Sequence, residues 1–516
     1  MLPRTLSSPS LTFMLRLLIV LNVCVFAANA QKPNRVLQVD ASAVHGTLRS
    51  FQAVDGGPIP TLPNRPDLSS RYKEIHVDLV RTHDLYGSTE IDSHFSSSVL
   101  LPLLPDQAAR TAFLKAANAA IIFLDWSADP ERAESYNFGP TDKLIQSIRA
   151  IGADVYYRVG RSLQAEPRPV ADPDKYAEVL KHVVMHYNKG WANGFQNSVK
   201  YWEFWDEPEF KAFWPGTPAE LYDFYGKSVR AVKSVDTWSK FGAIGKAFAH
   251  TPGPFREDFL DFVLANKLPL DFYSWHWYAS YSADPWDVMT QGKEIRDVLD
   301  ARGLQKVESH LAEWNISPDT SERTRAMHES ISNAAFAAAT LSYLQDAPIA
   351  RAILYRGDSV LTGMFNSAGE PLKKFYVYKA MAAMLETPQR LAVTGADTLG
   401  FAVLAGRSRD RRTVRVLISN YEIIKDVALL HPTVVAGTEI AVRLPRRTVE
   451  YKNNQGYSIT VKNLPWGKKD YTIKRYLIDQ SHNLEPVGEQ SGSGGGVQLT
   501  EPLLPPAVEL VEIQQK

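Results

Sequence analysis

Between residues 48 and 357 eight short apolar runs recur, and helical patterns fall between them. The runs are LRSFQAVDG (48–56), IHVDLVRTH (75–83), ADVYYRV (153–159), VKYWEFWDE (199–207), FGAIGKAF (241–248), LDFYSWHWY (270–278), QKVESHLAEW (305–314) and ARAILYRG (350–357). Helical stretches include TDKLIQSIRAI (141–151), PAELYDFYGKSVRAVKSV (218–235) and HESISNAAFAAATLSYLQ (328–345). Parallel strands need a long crossover, usually a helix, so this alternation implies a parallel sheet covered by helices. Eight repeats predict a closed (β/α)8 TIM barrel. A doubly wound open sheet is the rival. It calls for a glycine-rich phosphate loop after an early strand, and GGP at 56–58 is a turn without that spacing.

The loop after the second run is long and carries a further apolar piece, AAIIFLDWSAD (119–129), expected as a hairpin or short strand. Beyond about Ala382 the texture changes to strand chemistry. FAVLAG (401–406), RTVRVLISNY (412–421), TEIAVRLP (438–445), YSITVKNL (457–464), YTIKRYLID (471–479) and AVELVEIQ (507–514) predict an antiparallel β-sandwich, with SGSGGG (491–496) as a flexible loop. The expected organisation is a leader at 1–30, a strand and linker at 31–47 that joins the sandwich, a barrel at 48–385 and a C-terminal sandwich at 386–516.

Arg4 and Arg16 precede LLIVLNVCVF, and Ala28-Asn29-Ala30 supplies small residues for cleavage. This pattern reads as a secretory signal peptide with Gln31 as the mature start, and the apolar run is shorter than the ~20 residues a membrane span needs. Export to the periplasm or the exterior is therefore expected, with no membrane span in the mature chain. Cys24, the sole cysteine, falls in that leader, so thiol catalysis and thiolate metal sites are excluded from the mature chain. Basic and acidic residues balance at 57 each, and loss of the two leader arginines leaves a net charge of −2. No basic tract suggests a nucleic-acid partner. No HExxH or similar spacing suggests a metal, so no cofactor or metal is expected, and no obligate protein partner is implied.

Glu207 closes the fourth run and Glu313 the seventh. Strand C-termini of a barrel share one face, so two glutamates far apart in sequence meet over one pocket. Paired carboxyl groups are what glycosidic bond cleavage requires, one to protonate the leaving oxygen and one to attack the sugar or activate water. Trp205, Trp214, Trp277 and Trp314 lie near them in sequence and are expected to offer flat faces to sugar rings, whereas Trp202 is expected in the core. The segment 210–222 and the loop near Trp126 are expected on the leaving-group side. An isolated glutamate at a strand end is more often a solvated residue or an ion-pair partner. The pairing, with tryptophan beside each, favours chemistry.

YWEFWDEPEFKAFWPG (201–216) and HLAEWNIS (310–317) resemble the two catalytic signatures of glycoside hydrolase family 39, and the likeness extends to VRTHDLYG (80–87), YNFGPTDKLIQSIRAIGADVYYRVG (136–160) and SWHWY (274–278). The resemblance implies a barrel joined to a sandwich, and a retaining hydrolase of β-linked xyloside-like or exopolysaccharide-derived sugars, with an oligo- or polysaccharide as its partner. Glu207 would be the acid/base and Glu313 the nucleophile. Arg81 and Tyr278 would support Glu313, and His83, Trp205, Asp206, His276, Trp277, Trp314 and Asn315 would face the sugar. An ion pair with Glu203 is the alternative for Arg81. Relatives usually carry Asn where this chain has Asp206. An ionised Asp there can only accept a hydrogen bond, and its charge would raise the pKa of Glu207 and disfavour an anionic sugar. A non-catalytic carbohydrate-binding barrel and an endo-acting or transglycosylating relative stand as alternatives.

Overall fold

The computed structural model describes residues 35–60, 62–92, 101, 104–162, 167–279, 284–318, 322–360, 362–421, 423 and 454–516. The leader expected at 1–30, with Cys24, and the strand expected at 438–445 lie outside these described residues.

Strands β2 (Ala53–Asp55), β3 (Leu79–Arg81), β4 (Asp154–Val159), β5 (Val199–Phe204), β6 (Lys240–Lys246), β7 (Phe272–Tyr278), β8 (Glu308–Asn315) and β9 (Arg351–Leu354) close into a barrel in chain order. Every neighbouring pair is parallel, and β9 returns to β2 through Ala53 and Val54. All eight apolar runs in the sequence thus become barrel strands. Alternation of side chains along each strand sends one set inward and the other out toward the helices.

Helix boundaries follow local chemistry. The helix Pro218–Val235 starts at a capping box, in which Thr217 Oγ1 accepts from the Glu220 N–H and the Glu220 carboxylate accepts from the Thr217 N–H. The helix Pro173–Lys189 is capped by Asp172 and ends at Gly190, whose φ of +78° suits glycine. Residues 121–129 form no strand, contrary to expectation. Ile122 and Phe123 donate isolated backbone hydrogen bonds to Glu90 and Ile91, and Trp126 stacks on Tyr176 with ring centroids 6.2 Å apart, so side-chain packing rather than a ladder holds the segment.

A second, nine-stranded sheet runs β15-β14-β17-β12-β11-β10-β1-β13-β16. Its members are β1 (Arg35–Thr47), β10 (Gln389–Thr394), β11 (Phe401–Arg407), β12 (Thr413–Asn420), β13 (Gly456–Lys462), β14 (Asp470–Ile478), β15 (Asn483–Ser493), β16 (Val497–Pro502) and β17 (Ala507–Gln515). β1 pairs antiparallel with β10 and parallel with β13, the one parallel contact in an otherwise antiparallel sheet. Ser491, Gly492 and Ser493, expected in a flexible loop, instead end β15 against β14, because backbone pairing needs no side chains. The helix Ile331–Tyr343 is buried along almost its whole length between the two modules. Its residues share a core with Ala402, Leu404, Leu417, Val508 and Leu510 of the second sheet.

Candidate active site

The barrel interior is layered. Ala53, Leu79, Tyr156, Tyr201, Phe272 and Ile353 form an apolar cluster, with His310 stacked on Phe272 at 4.3 Å. Two residues further along their strands stand Asp55, Arg81, Arg158 and Glu203, all buried. Period-two alternation therefore places a charged tier directly above an apolar floor, at the strand C-termini.

Arg81 is the hub of that tier. Its Nε donates to Glu203 Oε2 (2.6 Å), its Nη1 to Asp55 Oδ2 (3.0 Å) and Glu313 Oε1 (2.6 Å), and its Nη2 to Asp206 Oδ1 (2.5 Å). Arg81 thus meets Glu203, the ion-pair partner considered as its alternative, and Glu313 alike. Tyr278 Oη donates to the other oxygen of Glu313, Oε2, at 2.6 Å. Both oxygens of Glu313 are thus held by donors from β3 and β7.

Glu207 sits where β5 leaves the sheet. Trp205 and Glu207 have φ of +68° and +38°, values uncommon outside glycine. The turn is pinned on both sides, with the Trp205 N–H on Val159 O and the Glu207 N–H on Gly245 O. The Glu207 side chain is 19% exposed, against 5% for Glu313. His276 bridges the two carboxyl groups, with Nδ1 2.8 Å from Glu207 Oε1 and 3.5 Å from Glu313 Oε2. One oxygen of Glu207 and one of Glu313 lie within 4.8 Å of each other.

His83 accepts from Arg158 Nε at Nδ1 (2.9 Å), which puts the proton of the neutral ring on Nε2. Nε2 is 3.2 Å from Asp206 Oδ2 and 3.5 Å from Glu313 Oε1. The trios His83–Asp206–Glu313 and Glu207–His276–Glu313 are compact enough for a metal ion. In the first, His83 turns a protonated nitrogen inward; in the second, His276 Nδ1 is engaged with Glu207.

The charges separate the two glutamates. Burial pushes the Glu207 carboxyl up, only partly offset by its hydrogen bond to His276. For Glu313 burial acts the same way, but His276, Arg81 and the Tyr278 hydroxyl outweigh it and hold the carboxyl below its usual range. His276 is raised to about 10: burial opposes the charge, and Glu313, Glu207 and Asp206 overcome it. Burial and the nearby Arg158 and Arg81 guanidinium groups drive His83 well below its ordinary value, so it is neutral. Carboxyl pairs whose environments pull their pKa values apart mark acid and base roles.

The tryptophans require correction. Trp205, Trp277 and Trp314 are 1%, 2% and 0% exposed and belong to the main core. Trp277 stacks on Phe336 of the helix Ile331–Tyr343, and Trp205 meets Trp214 and Phe224 edge-on. Trp214 is itself tied down, its Nε1 donating to Thr217 O. Trp277 and Trp314 each follow an inward residue, His276 and Glu313, and so face outward. Trp205 is turned out by its positive φ. Trp202 is fully buried beside Tyr157. Asn315, expected against the sugar, is 1% exposed and spends its side chain on the Tyr355 carbonyl and the Ile316 N–H.

Asp55, Arg158, Tyr355 and Arg356 were not singled out from the sequence. Tyr355 Oη donates to Asp84 Oδ2, and Arg356 pairs with Asp358 and donates from Nη1 to His83 O. Each lies at the end of an apolar run, the signal that marked Glu207 and Glu313.

The profile of Glycosyl hydrolases family 39 matches residues 153–490. A β-xylosidase of Geobacillus stearothermophilus is 26% identical over 252 residues, covering 43% of this chain and 48% of that protein, so the chain spans about half the length of that curated relative. A glucosidase of Croceicoccus marinus of known structure is 32% identical and superposes with a TM-score of 0.80 over 94% of this chain and 100% of its own. A monomeric β-xylosidase of Caulobacter crescentus, 15% identical, superposes at 0.67 over 93% of this chain and 99% of its own and shares the fold.

Proposed function

Since the chain belongs to glycosyl hydrolases family 39, we propose that it hydrolyses β-linked O-glycosides by double displacement. Glu313, ionised, attacks the anomeric carbon while Glu207 gives its proton to the leaving oxygen. The glycosidic C–O bond breaks and a glycosyl ester with Glu313 forms. Glu207, now a carboxylate, takes a proton from water, whose oxygen attacks the same carbon and releases Glu313. Two inversions return the original configuration.

The observation that carries this reading is the separation of the two carboxyl groups, with oxygens within 4.8 Å. Retaining enzymes hold the pair about 5–5.5 Å apart, whereas inverting enzymes leave room for water at about 6.5–9.5 Å. The opposed pKa directions of Glu207 and Glu313 support the same division of labour. The relatives named β-xylosidase and glucosidase support a neutral pyranoside as the glycone. The crowd of carboxyl groups about Arg81 disfavours an anionic sugar.

The test is a panel of aryl β-xyloside, β-glucoside and α-L-arabinopyranoside, with the product anomer followed by NMR. Retention is expected on the preferred sugar, and an inverted first product sinks the double displacement. Glu313→Ala should lower turnover by at least about 10⁴-fold; unchanged turnover removes the nucleophile assignment.

A second reading is action within chains. Products from a xylo-oligosaccharide ladder separate the two: single sugars for end-trimming, mixed lengths for internal cuts. Export from the cytoplasm is part of the same proposal, checked by fractionation and by sequencing for an N-terminus at Gln31. Among the described residues no helix is long and apolar enough to cross a membrane.

A further inference from the structure

Glu207 stands on a turn whose backbone must be held in place. Its φ of +38° is a conformation that persists only where the surroundings over-determine it. Pro208, the next residue, has no N–H to offer. One tie is the Glu207 N–H on the Gly245 carbonyl at 2.8 Å. A second lies one residue further along β6. Lys246, the last residue of that strand, donates from Nζ to Glu209 Oε1 at 2.8 Å, and both side chains are only 4% exposed. The same ammonium donates to Thr251 Oγ1 (3.1 Å), and the Phe248 N–H reaches Glu209 Oε1 at 3.4 Å. Phe210, beyond Glu209, meets the Phe248 ring edge-on with centroids 5.6 Å apart. The end of β6 is itself anchored, with the Gly245 N–H on Ser274 Oγ of β7 (2.9 Å). The turn 207–210 is therefore bound to 245–248 by backbone, by charge and by ring packing.

An ion pair taken out of water gains little net stability, since desolvation offsets the attraction. What it keeps is direction. An ammonium with two acceptors fixes where Glu209 sits, and Glu209 is two residues from Glu207. Neither Lys246 nor Glu209 takes part in the double displacement itself. Resting on the glycosidase reading, we propose that the Lys246–Glu209 pair positions the acid/base, holding the turn 207–210 so that the Glu207 carboxyl stays on His276 and aims at the leaving oxygen. Both steps need that aim, the first to give a proton and the second to take one from water. Glu313 is held separately, by Arg81 and Tyr278. Loss of the pair therefore impairs proton transfer and spares nucleophilic attack.

The experiment uses Lys246→Met and the double variant Lys246→Met/Glu209→Leu, which puts apolar side chains in place of the pair and preserves folding. The substrates are phenyl and 2,4-dinitrophenyl glycosides of the preferred sugar. A phenolate needs a proton to leave, whereas dinitrophenolate leaves without one. In both variants kcat/KM on the phenyl glycoside should fall about ten- to hundredfold, part of the roughly 10²–10⁴-fold that general acid–base catalysis supplies, and on the dinitrophenyl glycoside by less than about threefold. Azide needs no base. It attacks the anomeric carbon of the glycosyl ester, releases the Glu313 carboxylate, and should raise kcat on the dinitrophenyl glycoside for the variants and not for the native enzyme. Equal losses on the two glycosides, or native rates on the phenyl glycoside, overturn the proposal, because a pair that only stabilises the fold cannot tell leaving groups apart. Crystal structures of the variants need no substrate: the Glu207 carboxyl is expected off His276 Nδ1, and an unmoved Glu207 refutes the claim. A native enzyme that cleaves neither glycoside would defeat the broader reading instead, while those structures still decide the positioning.

Discussion

Glu313 keeps its charge because three groups oppose its burial, and each can be tested alone. Tyr278→Phe removes the hydroxyl that donates to Oε2. A hydrogen bond to a charged group is worth about 1.5–3 kcal/mol, so kcat/KM should drop roughly ten- to hundredfold. The hydroxyl stabilises the ionised form. Its loss raises the Glu313 pKa, and the acid limb, where activity disappears as pH falls through that value, should move to higher pH. An unmoved acid limb refutes the contact as an electrostatic one. His276 gives a stability prediction of definite sign. Its folded pKa is about 10 against an ordinary 6.5. The stability its proton contributes is complete below pH 6.5 and is lost as pH rises towards 10. The Tm gap between the native protein and His276→Gln should therefore be widest at pH 6 and narrow on the way to pH 10.

At the scale of the element, β7 shows how one strand serves two masters. His276 and Tyr278 point into the charged tier, while Trp277 between them packs on Phe336 outside the barrel. Trp277→Ala should behave as a core truncation, costing about 3–5 kcal/mol. Thermal melts should show it, and KM measured on the folded fraction should hold near the native value. A large rise in KM with an unchanged Tm would instead put the indole against sugar. The alternation that separates these residues was readable in SWHWY, since neighbours of an inward side chain face out. Trp205 was not readable in that way. Two positions before Glu207, it shares that residue's parity, and only the positive φ at the strand end turns it toward Trp214.

Across the whole molecule, barrel and second sheet are joined through a helix with no solvent face. The helix Ile331–Tyr343 packs on both, and Ser419 Oγ of β12 donates to its Ala335 carbonyl. The last strand, β17, lies between β12 and β14 rather than at an edge. It carries Glu509, fully buried and bonded to Arg475 and the Tyr457 hydroxyl. Deleting residues 507–516 should therefore expose two ladders, strand Arg475 of a buried partner and unfold the protein cooperatively rather than trim a tail. Circular dichroism and limited proteolysis of the truncated chain would check this, and a barrel that melts at its native temperature would contradict it.

What the sequence determined alone is what local periodicity carries. The eight apolar runs at helix-length spacing pointed to a closed parallel barrel over the open-sheet rival, and in a barrel Glu207 and Glu313 at two run ends share a mouth, because strand direction is set by the crossovers. What only the tertiary structure decided is what depends on distances across the barrel. That one guanidinium serves four carboxyl groups, that Arg158 fixes the tautomer of His83, and that Asp206 has one filled and one empty oxygen follow from strands that are remote in the chain and adjacent in space. Burial and charge act through space, so no reading along the chain could assign the protons they govern.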